Sequence, residues 1–62
     1  MKAQNVASLE AHGFRRQEGV DGDGVRWALW RRANSRRAFG MRLDSEDTFP
    51  YLVDLDQEGI TV

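Results

Sequence analysis

The sequence predicts an α+β domain in which one N-terminal helix packs on a three- to four-stranded antiparallel sheet. Good helix formers dominate the first twelve residues, and a glycine follows them at the position of a helix C-cap. From residue 14 onward, apolar and polar side chains alternate with the period of two that is typical of strands. Short polar turns separate these alternating segments. With 62 residues, the chain is expected to form a single domain, 1–62.

The helix is predicted over residues 3–12, with its apolar side chains clustered on one side. Gly13 stands where a left-handed cap belongs. The sole histidine, His12, lies at the C-terminal end of this helix, where the helix dipole favours the imidazolium cation. We therefore expect His12 to cap the helix rather than to act in catalysis.

The strands are expected where the alternation is clear. The tetrapeptide Asp-Gly-Asp-Gly at 21–24 is typical of a hairpin, and Pro50 suggests an edge or entry position because proline cannot donate to a ladder. Residues 56–59 are expected to form a turn. The predicted strands are residues 14–20, 25–33, 37–44, 49–56 and a short terminal strand, 60–62.

The alternation also predicts which side chains are buried. Trp27 and Leu29 point to one face of their strand, and Trp30 points to the other. We expect the helix to cover the first face, and a partner or a second copy of the chain to cover the other. The predicted core is Val6, Leu9, Trp27, Leu29, Phe39, Met41, Leu43, Tyr51, Val53 and Leu55.

A formal net charge of −1 conceals a segregation along the chain. Residues 1–41 carry eight basic and four acidic side chains, hence +4, whereas residues 42–62 carry one and six, hence −5. Antiparallel neighbours, such as Arg42 and Asp54, would pair some of these charges across strands. The alternative is a charged surface that docks a partner. The acidic candidates for partner binding are Asp44, Glu46, Asp47, Asp54, Asp56 and Glu58.

Trp30 is the most informative single residue, because its strand position places it with arginines on the outward face. Three interpretations stay open. It serves as a hot spot of a protein interface, as a stacking platform for single-stranded nucleic acid, or as part of a second core that packs on Leu52 and the arginine stems. The candidate residues of this face are Arg26, Trp30, Arg32, Arg36 and Arg37.

Several classes of site are not expected. The chain has no cysteine, hence no disulfide framework, and no set of side chains that would activate a serine nucleophile. The acidic stretch 54–59 resembles the beginning of an EF-hand loop but lacks the acid at position 12, so we expect neither a metal site nor a cofactor. No apolar stretch is long enough to span a bilayer, and residues 1–5 lack the apolar run of a signal peptide. A soluble, cytoplasmic, non-enzymatic protein is the expectation.

Residues 9–17, Leu-Glu-Ala-His-Gly-Phe-Arg-Arg-Gln, resemble the start of HicA-type toxins, which are small mRNA-cleaving domains. Those toxins open with a helix that ends in a Leu-x-x-x-Gly-Phe-like step before a strand. The family also needs a histidine on the following strand, and here Glu18-Gly19-Val20 occupies that neighbourhood. The resemblance therefore implies a similar αβββ start without the catalytic chemistry.

In size, charge polarity and lack of cysteine, the chain also resembles small phage-encoded inhibitors of bacterial defence, including anti-CRISPR proteins. This resemblance implies a protein partner in the bacterial host cytoplasm, namely a nucleic-acid-handling complex that acidic side chains block by standing where phosphates would. The alternatives are a nucleic-acid-binding module that uses the Arg/Trp face, and an antitoxin or oligomer subunit whose sheet edge another chain completes.

Overall fold

The computed structural model describes residues 5–33, 35–46 and 49–62. Within these residues, helix α1 (Val6–Ala11) precedes four strands, and a short helix α2 follows them. The strands form one antiparallel sheet in the order β1-β2-β3-β4, so the predicted α+β class is confirmed. Their bounds are β1 (Arg15–Val20), β2 (Arg26–Arg31), β3 (Arg37–Arg42) and β4 (Tyr51–Asp54), and α2 is Leu55–Glu58.

Helix α1 begins and ends with side-chain and backbone caps. Asn5 accepts a hydrogen bond from the Ala7 N–H at 2.8 Å, which satisfies one of the free donors of the first turn. His12 is the C-cap, as expected, and Gly13 takes the predicted left-handed conformation with φ of +87°. Because Asn5 is the cap, the helix begins at Val6, and residues 3 and 4 of the expected helix lie outside the described residues.

The hairpin between β1 and β2 is held by one aspartate. The Asp21 carboxylate accepts hydrogen bonds from the N–H groups of Asp23 at 2.9 Å and Val25 at 3.0 Å, which closes the predicted turn. Its second oxygen accepts from the Trp27 indole N–H at 2.9 Å. The turn is thereby tied to the first buried side chain of β2.

The register of β2 and β3 corrects the expected faces of the sheet. Trp30 lies opposite Phe39 and Ala28 opposite Met41, so Phe39 and Met41 share the face of Trp30 rather than that of Leu29. Gly40 lies opposite Leu29, and a β-carbon at Gly40 would be only 2.7 Å from Leu29 Cδ2. On the face of Leu29, β3 thus presents a glycine to a large side chain of β2. Alternation within β3 alone does not predict this match.

Both faces of the sheet are covered, each by a core of its own. On the helix-side face, Leu9 of α1 packs with Ala28 and Trp30, and Val6, Phe14, Phe39 and Met41 surround them. On the tail-side face, α2 and the residues after it cover the second core, which consists of Trp27, Leu29, Ala38, Val53, Leu55 and Ile60. Leu43, expected in the core, is 43% exposed because it follows the end of β3.

Helix α2 replaces most of the turn predicted at 56–59 and the last two residues of the strand predicted over 49–56. The Asp54 carboxylate accepts from the N–H groups of Asp56 at 2.9 Å and Gln57 at 3.2 Å, so the chain turns into a helix where β4 was expected to continue. Gly59 ends the helix in the left-handed region, with φ of +67°. The expected terminal strand is reduced to one bridge between Thr61 and Val20 of β1.

Candidate functional site

The antiparallel topology gathers five arginines at one end of the sheet. The start of β1, the end of β2 and the start of β3 meet there, because adjacent strands run in opposite directions. Arg15 is the direct cross-strand partner of Arg31, and Arg37 is the first residue of β3. We call this surface the basic end, defined by Arg15, Arg31, Arg32, Arg36 and Arg37.

Three of the predicted basic candidates, Arg32, Arg36 and Arg37, lie at this end. Arg26 does not, because it starts β2 at the opposite end, where its guanidinium donates to the Glu18 carboxylate. Arg15 and Arg31 were not among the predicted candidates. The hairpin turn at 21–24 is the signal that identifies them, since pairing outward from that turn brings residue 15 opposite residue 31.

Trp30 is buried, with only 3% of its surface exposed, so the expectation that its side chain points outward is wrong. Helix α1 covers its face through Leu9, and the Arg16 guanidinium lies 5.9 Å from the centre of its ring. Of the three open interpretations, the second core is the one that its burial supports. Phe39 stands between Trp30 and Leu52 in the sheet register.

Two arginines of the basic end are held in place by groups that carry no charge. Arg31 donates to the Ser35 carbonyl oxygen at 2.7 Å and to the Gln17 amide oxygen at 3.3 Å. Arg32 donates to the His12 carbonyl oxygen at 2.9 Å, and its guanidinium lies 4.6 Å from the centre of the Phe14 ring. These bonds orient both guanidinium groups without neutralising them.

The other arginines of the basic end differ in their partners. Arg36 donates to Asp56 at 3.1 Å, in a pair that is largely exposed. Arg15 and Arg37 form no ion pair with any carboxylate in the described parts of the chain. Arg37 lies opposite Asp54 in the register, but the Asp54 carboxylate caps α2 instead. The basic end thus carries five arginines against two aspartates, Asp54 and Asp56, and retains a net positive charge.

Depressions lie at the basic end on both sides of the sheet. A depression of about 410 Å³ is lined mostly by arginine stems and guanidinium groups, namely those of Arg15, Arg31 and Arg32, with Gln17 and Ala33. On the helix-side face, a smaller groove of about 200 Å³ has a mixed lining of Phe14, Arg32, Ser35, Arg37, Ala38, Phe39 and Leu52. The rings of Phe14 and Phe39 meet edge to face, with their centres 5.6 Å apart. On the helix-side face, Arg32 and Arg37 therefore share a surface with two partly exposed aromatic rings.

The predicted acidic candidates do not form one surface. Asp54 and Asp56 lie at the basic end, whereas Asp44 and Glu46 follow β3 at the other end of the sheet. The five residue steps of β3 between Arg37 and Arg42 span about 17 Å, so the two groups are well separated. Glu58 is exposed in α2, and Asp47 lies outside the described residues.

The expected ion pair between Arg42 and Asp54 is also wrong. The register places Arg37 opposite Asp54, and Arg42 opposite Trp27. Arg42 instead donates twice to Asp44, at 3.0 and 2.9 Å. Together with Asp21 and Asp23 of the hairpin turn, Asp44 and Glu46 form what we call the acidic end of the sheet.

Three carboxylates are more acidic in the folded protein than they ordinarily are. Hydrogen bonds from Trp27, Val25 and Asp23 lower the pKa of Asp21. The hydrogen bond from Arg42 lowers the pKa of Asp44, and hydrogen bonds from Arg26 and Arg16 lower the pKa of Glu18. A lowered pKa means that folding stabilises the ionised carboxylate.

This arrangement predicts that the protein loses stability in acid. Because the three pKa values are lower in the folded state, their contribution is present above about pH 4 and is lost as the pH falls further. We expect the urea midpoint to be lower at pH 3 than at pH 6. The Asp21→Asn variant cannot titrate at this position. Its urea midpoint should therefore fall less between pH 6 and pH 3 than that of the unmodified protein. An equal loss in both proteins would contradict a role for Asp21.

The described ranges contain no group of three or more His, Cys, Asp or Glu side chains placed to hold a metal ion. In the same ranges, neither helix has the length and apolar character needed to cross a bilayer. Comparison with known proteins found no matching family model, no matching curated protein and no matching solved structure.

Proposed function

We propose that this chain is a non-enzymatic binding protein that binds single-stranded nucleic acid through its basic end. The observation that carries the proposal is the set of arginines without a carboxylate partner, Arg15, Arg31, Arg32 and Arg37, beside partly exposed phenylalanines. Guanidinium groups donate two parallel hydrogen bonds to phosphate, which makes arginine suited to a phosphate backbone. The proposed surface shares Arg32, Arg36 and Arg37 with the predicted nucleic-acid face. It includes Arg15 and Arg31 instead of Arg26 and Trp30.

The aromatic groove supports a single strand over a duplex. Unpaired bases stack on aromatic rings and on guanidinium planes, whereas the bases of a duplex are already stacked on one another. Arg32 is exposed and lies over Phe14, so its outer plane is available to a base. The neighbouring Phe39 and Leu52 provide apolar lining in the same groove. Phosphates would then lie along Arg37 and Arg32, and the strand would pass round the end of the sheet to reach the arginines of the larger depression.

No chemical step is part of this proposal. The single histidine of the sequence contacts the Ser8 carbonyl oxygen through Nδ1 at 2.7 Å, while its own backbone carbonyl accepts from Arg32. His12 therefore caps α1 and orients Arg32. The proposed place of binding is the cytoplasm of a bacterial cell.

The proposal predicts salt-dependent binding that depends on two particular arginines. Fluorescence anisotropy with a labelled 10-mer of deoxythymidine should show binding at 50 mM salt. The logarithm of the affinity should fall by about 0.7 per neutralised phosphate for each tenfold rise in salt. The double variant Arg15→Ala/Arg37→Ala should bind at least ten times more weakly, because each change removes an uncompensated charge from the basic end.

The matched control is Arg26→Ala/Arg42→Ala, which removes the same charge from the opposite end of the sheet. We expect this control to lose less than threefold in affinity. Equal losses in the two double variants would show that only the net charge matters, and the absence of any binding at 50 mM salt would contradict the proposal.

A second candidate function uses the acidic end and agrees with the resemblance to anti-CRISPR inhibitors. It is favoured by the convergence of the hairpin turn and the loop after β3, where Gly24 and Val25 line one depression together with Leu43 and Asp44. In this function, the carboxylates block a nucleic-acid-handling complex by occupying arginines that bind phosphate. The Asp44→Lys/Glu46→Lys variant should then lose inhibition of target binding by a CRISPR-type effector, while Arg15→Ala/Arg37→Ala retains it. The opposite pattern would favour the basic end.

A further inference from the structure

Two arginines stand opposite each other on the tail-side face of the basic end. Arg15 of β1 and Arg31 of β2 are direct cross-strand partners, and they share the face of Leu29, which lies two residues before Arg31 in the same strand. Like charges at directly opposed positions destabilise an antiparallel pair. No ion pair within the described residues involves either arginine, so the repulsion between them is not offset in the free protein.

The larger depression beside this pair is lined by hydrogen-bond donors. Its volume is about 410 Å³, and no carboxylate is among its lining residues, which are Arg15, Gln17, Arg31, Arg32 and Ala33. The Gln17 amide oxygen accepts from Arg31 at 3.3 Å. The NH2 group of the same amide is thereby left as a donor that has no partner among the described residues. Three guanidinium groups and one amide thus offer donors to a single anion.

Two of the three guanidinium groups are held in position before a ligand binds. Arg31 donates to the Ser35 carbonyl oxygen at 2.7 Å, and Arg32 donates to the His12 carbonyl oxygen at 2.9 Å. The Nε atom of Arg31 is buried without a hydrogen-bond partner. Because these contacts already restrict two of the arginines, a bound anion would have to order the side chain of Arg15 alone, which lowers the entropy lost on binding.

We propose that the larger depression binds a phosphomonoester dianion, namely the terminal phosphate of the bound single strand. This inference rests on the proposed function and adds which part of the strand the depression accepts. A phosphomonoester presents three acceptor oxygens and carries a charge of about −2 at neutral pH, whereas a phosphate inside a strand carries one negative charge. The group with more charge and more acceptors is the better match to three guanidinium groups without a carboxylate.

Arg32 connects this depression with the aromatic groove on the helix-side face. Its side chain lines both of them, and its guanidinium lies over the Phe14 ring. A strand whose last base stacks in the groove can therefore pass round the end of the sheet and place its terminal phosphate in the depression. An internal segment would have to enter the depression and leave it again, so the placement favours the end of a strand.

Competition experiments test the preference for a phosphorylated end. Unlabelled 10-mers of deoxythymidine with a 5′-phosphate, with a 3′-phosphate or with hydroxyl groups at both ends would displace the labelled 10-mer. We expect one of the two phosphorylated strands to compete at least about fivefold more strongly than the hydroxyl strand, and that strand identifies which end is bound. Equal competition by all three would overturn this proposal and leave the proposed function standing. No binding of the labelled strand would contradict the proposed function and this inference with it.

Two variants with the same loss of charge separate the depression from the groove. Arg15→Gln removes a guanidinium that lines the depression only, and we expect it to reduce the preference for the phosphorylated strand to less than about twofold. Arg37→Gln is the matched control, because Arg37 lines the groove and not the depression. It should weaken all three strands alike and keep the preference. A preference that falls equally in both variants would overturn the proposal, since net charge would then explain it.

Urea denaturation supplies a measurement that needs no nucleic acid. In chloride buffer, Arg15→Gln should have a higher urea midpoint than the unmodified protein, because the repulsion from Arg31 is removed. Inorganic phosphate at the same ionic strength should raise the midpoint of the unmodified protein and of Arg37→Gln, since a ligand of the folded state stabilises it. The midpoint of Arg15→Gln should rise less. An equal rise in all three proteins, or no rise in any, would overturn the proposal.

Discussion

Replacement of Trp30 by alanine is expected to unfold most of the protein. The side chain is 3% exposed and forms the helix-side core with Leu9 and Ala28. Truncation of a buried tryptophan costs about 3–5 kcal/mol, because the lost burial and the cavity add. A domain of 62 residues has a total stability of roughly 3–9 kcal/mol, so the cost approaches the whole.

Urea denaturation followed by circular dichroism measures this effect. Leu52→Ala is the control, because Leu52 lies on the same face and is 37% exposed. We expect this control to lose about 1 kcal/mol or less, since little burial is removed. A cooperative transition of Trp30→Ala with the midpoint of the unmodified protein would mean that Trp30 is a surface platform after all.

Replacement of Gly19 by valine is expected to have the second largest effect on stability. Gly19 is buried in β1, and a β-carbon there would lie 2.8 Å from Ile60 Cγ2 and 2.9 Å from the Thr61 carbonyl oxygen. The Thr61 oxygen cannot move without loss of its bond to Val20. Valine would therefore push the last residues off the tail-side core, at a cost of about 1–3 kcal/mol or more.

Gly22→Ala is the matched control for this substitution. Gly22 lies in the hairpin turn, where a β-carbon would have no heavy atom of the described residues within 4 Å. We expect its free energy of unfolding to change by less than about 0.5 kcal/mol. Hydrogen exchange supplies a local measurement, since the amide of Val20 should lose protection in Gly19→Val. An unchanged rate would contradict the displacement of the tail.

Much of the local structure follows from short stretches of sequence. The hairpin at 21–24 is encoded by an aspartate that accepts backbone hydrogen bonds and by glycines, and both act within five residues. The end of α1 at His12 and Gly13 is equally local. The alternation in β2 correctly separates Trp27 and Leu29 from Trp30, because side chains on a strand must point to opposite faces in turn.

Other features depend on contacts between distant residues. Alternation assigns each strand two faces, but which face of β3 joins which face of β2 is decided by packing, here by Leu29 against Gly40. The burial of Trp30 likewise requires α1 to lie on its side of the sheet. Asp54 could continue a strand or cap a helix, and the cap goes with the burial of the next residue, Leu55, in the tail-side core.

The candidate site shows the same division. The numbers of arginines and carboxylates follow from the order of amino acids, and so does the dominance of basic residues in the first part of the chain and of acidic residues in the last. The fold adds that the antiparallel strands bring Arg15 and Arg31 together while they separate Asp44 from Asp54. The physical reason is that charge and alternation are properties of neighbours along the chain, whereas register is set by the packing of side chains that meet across the sheet.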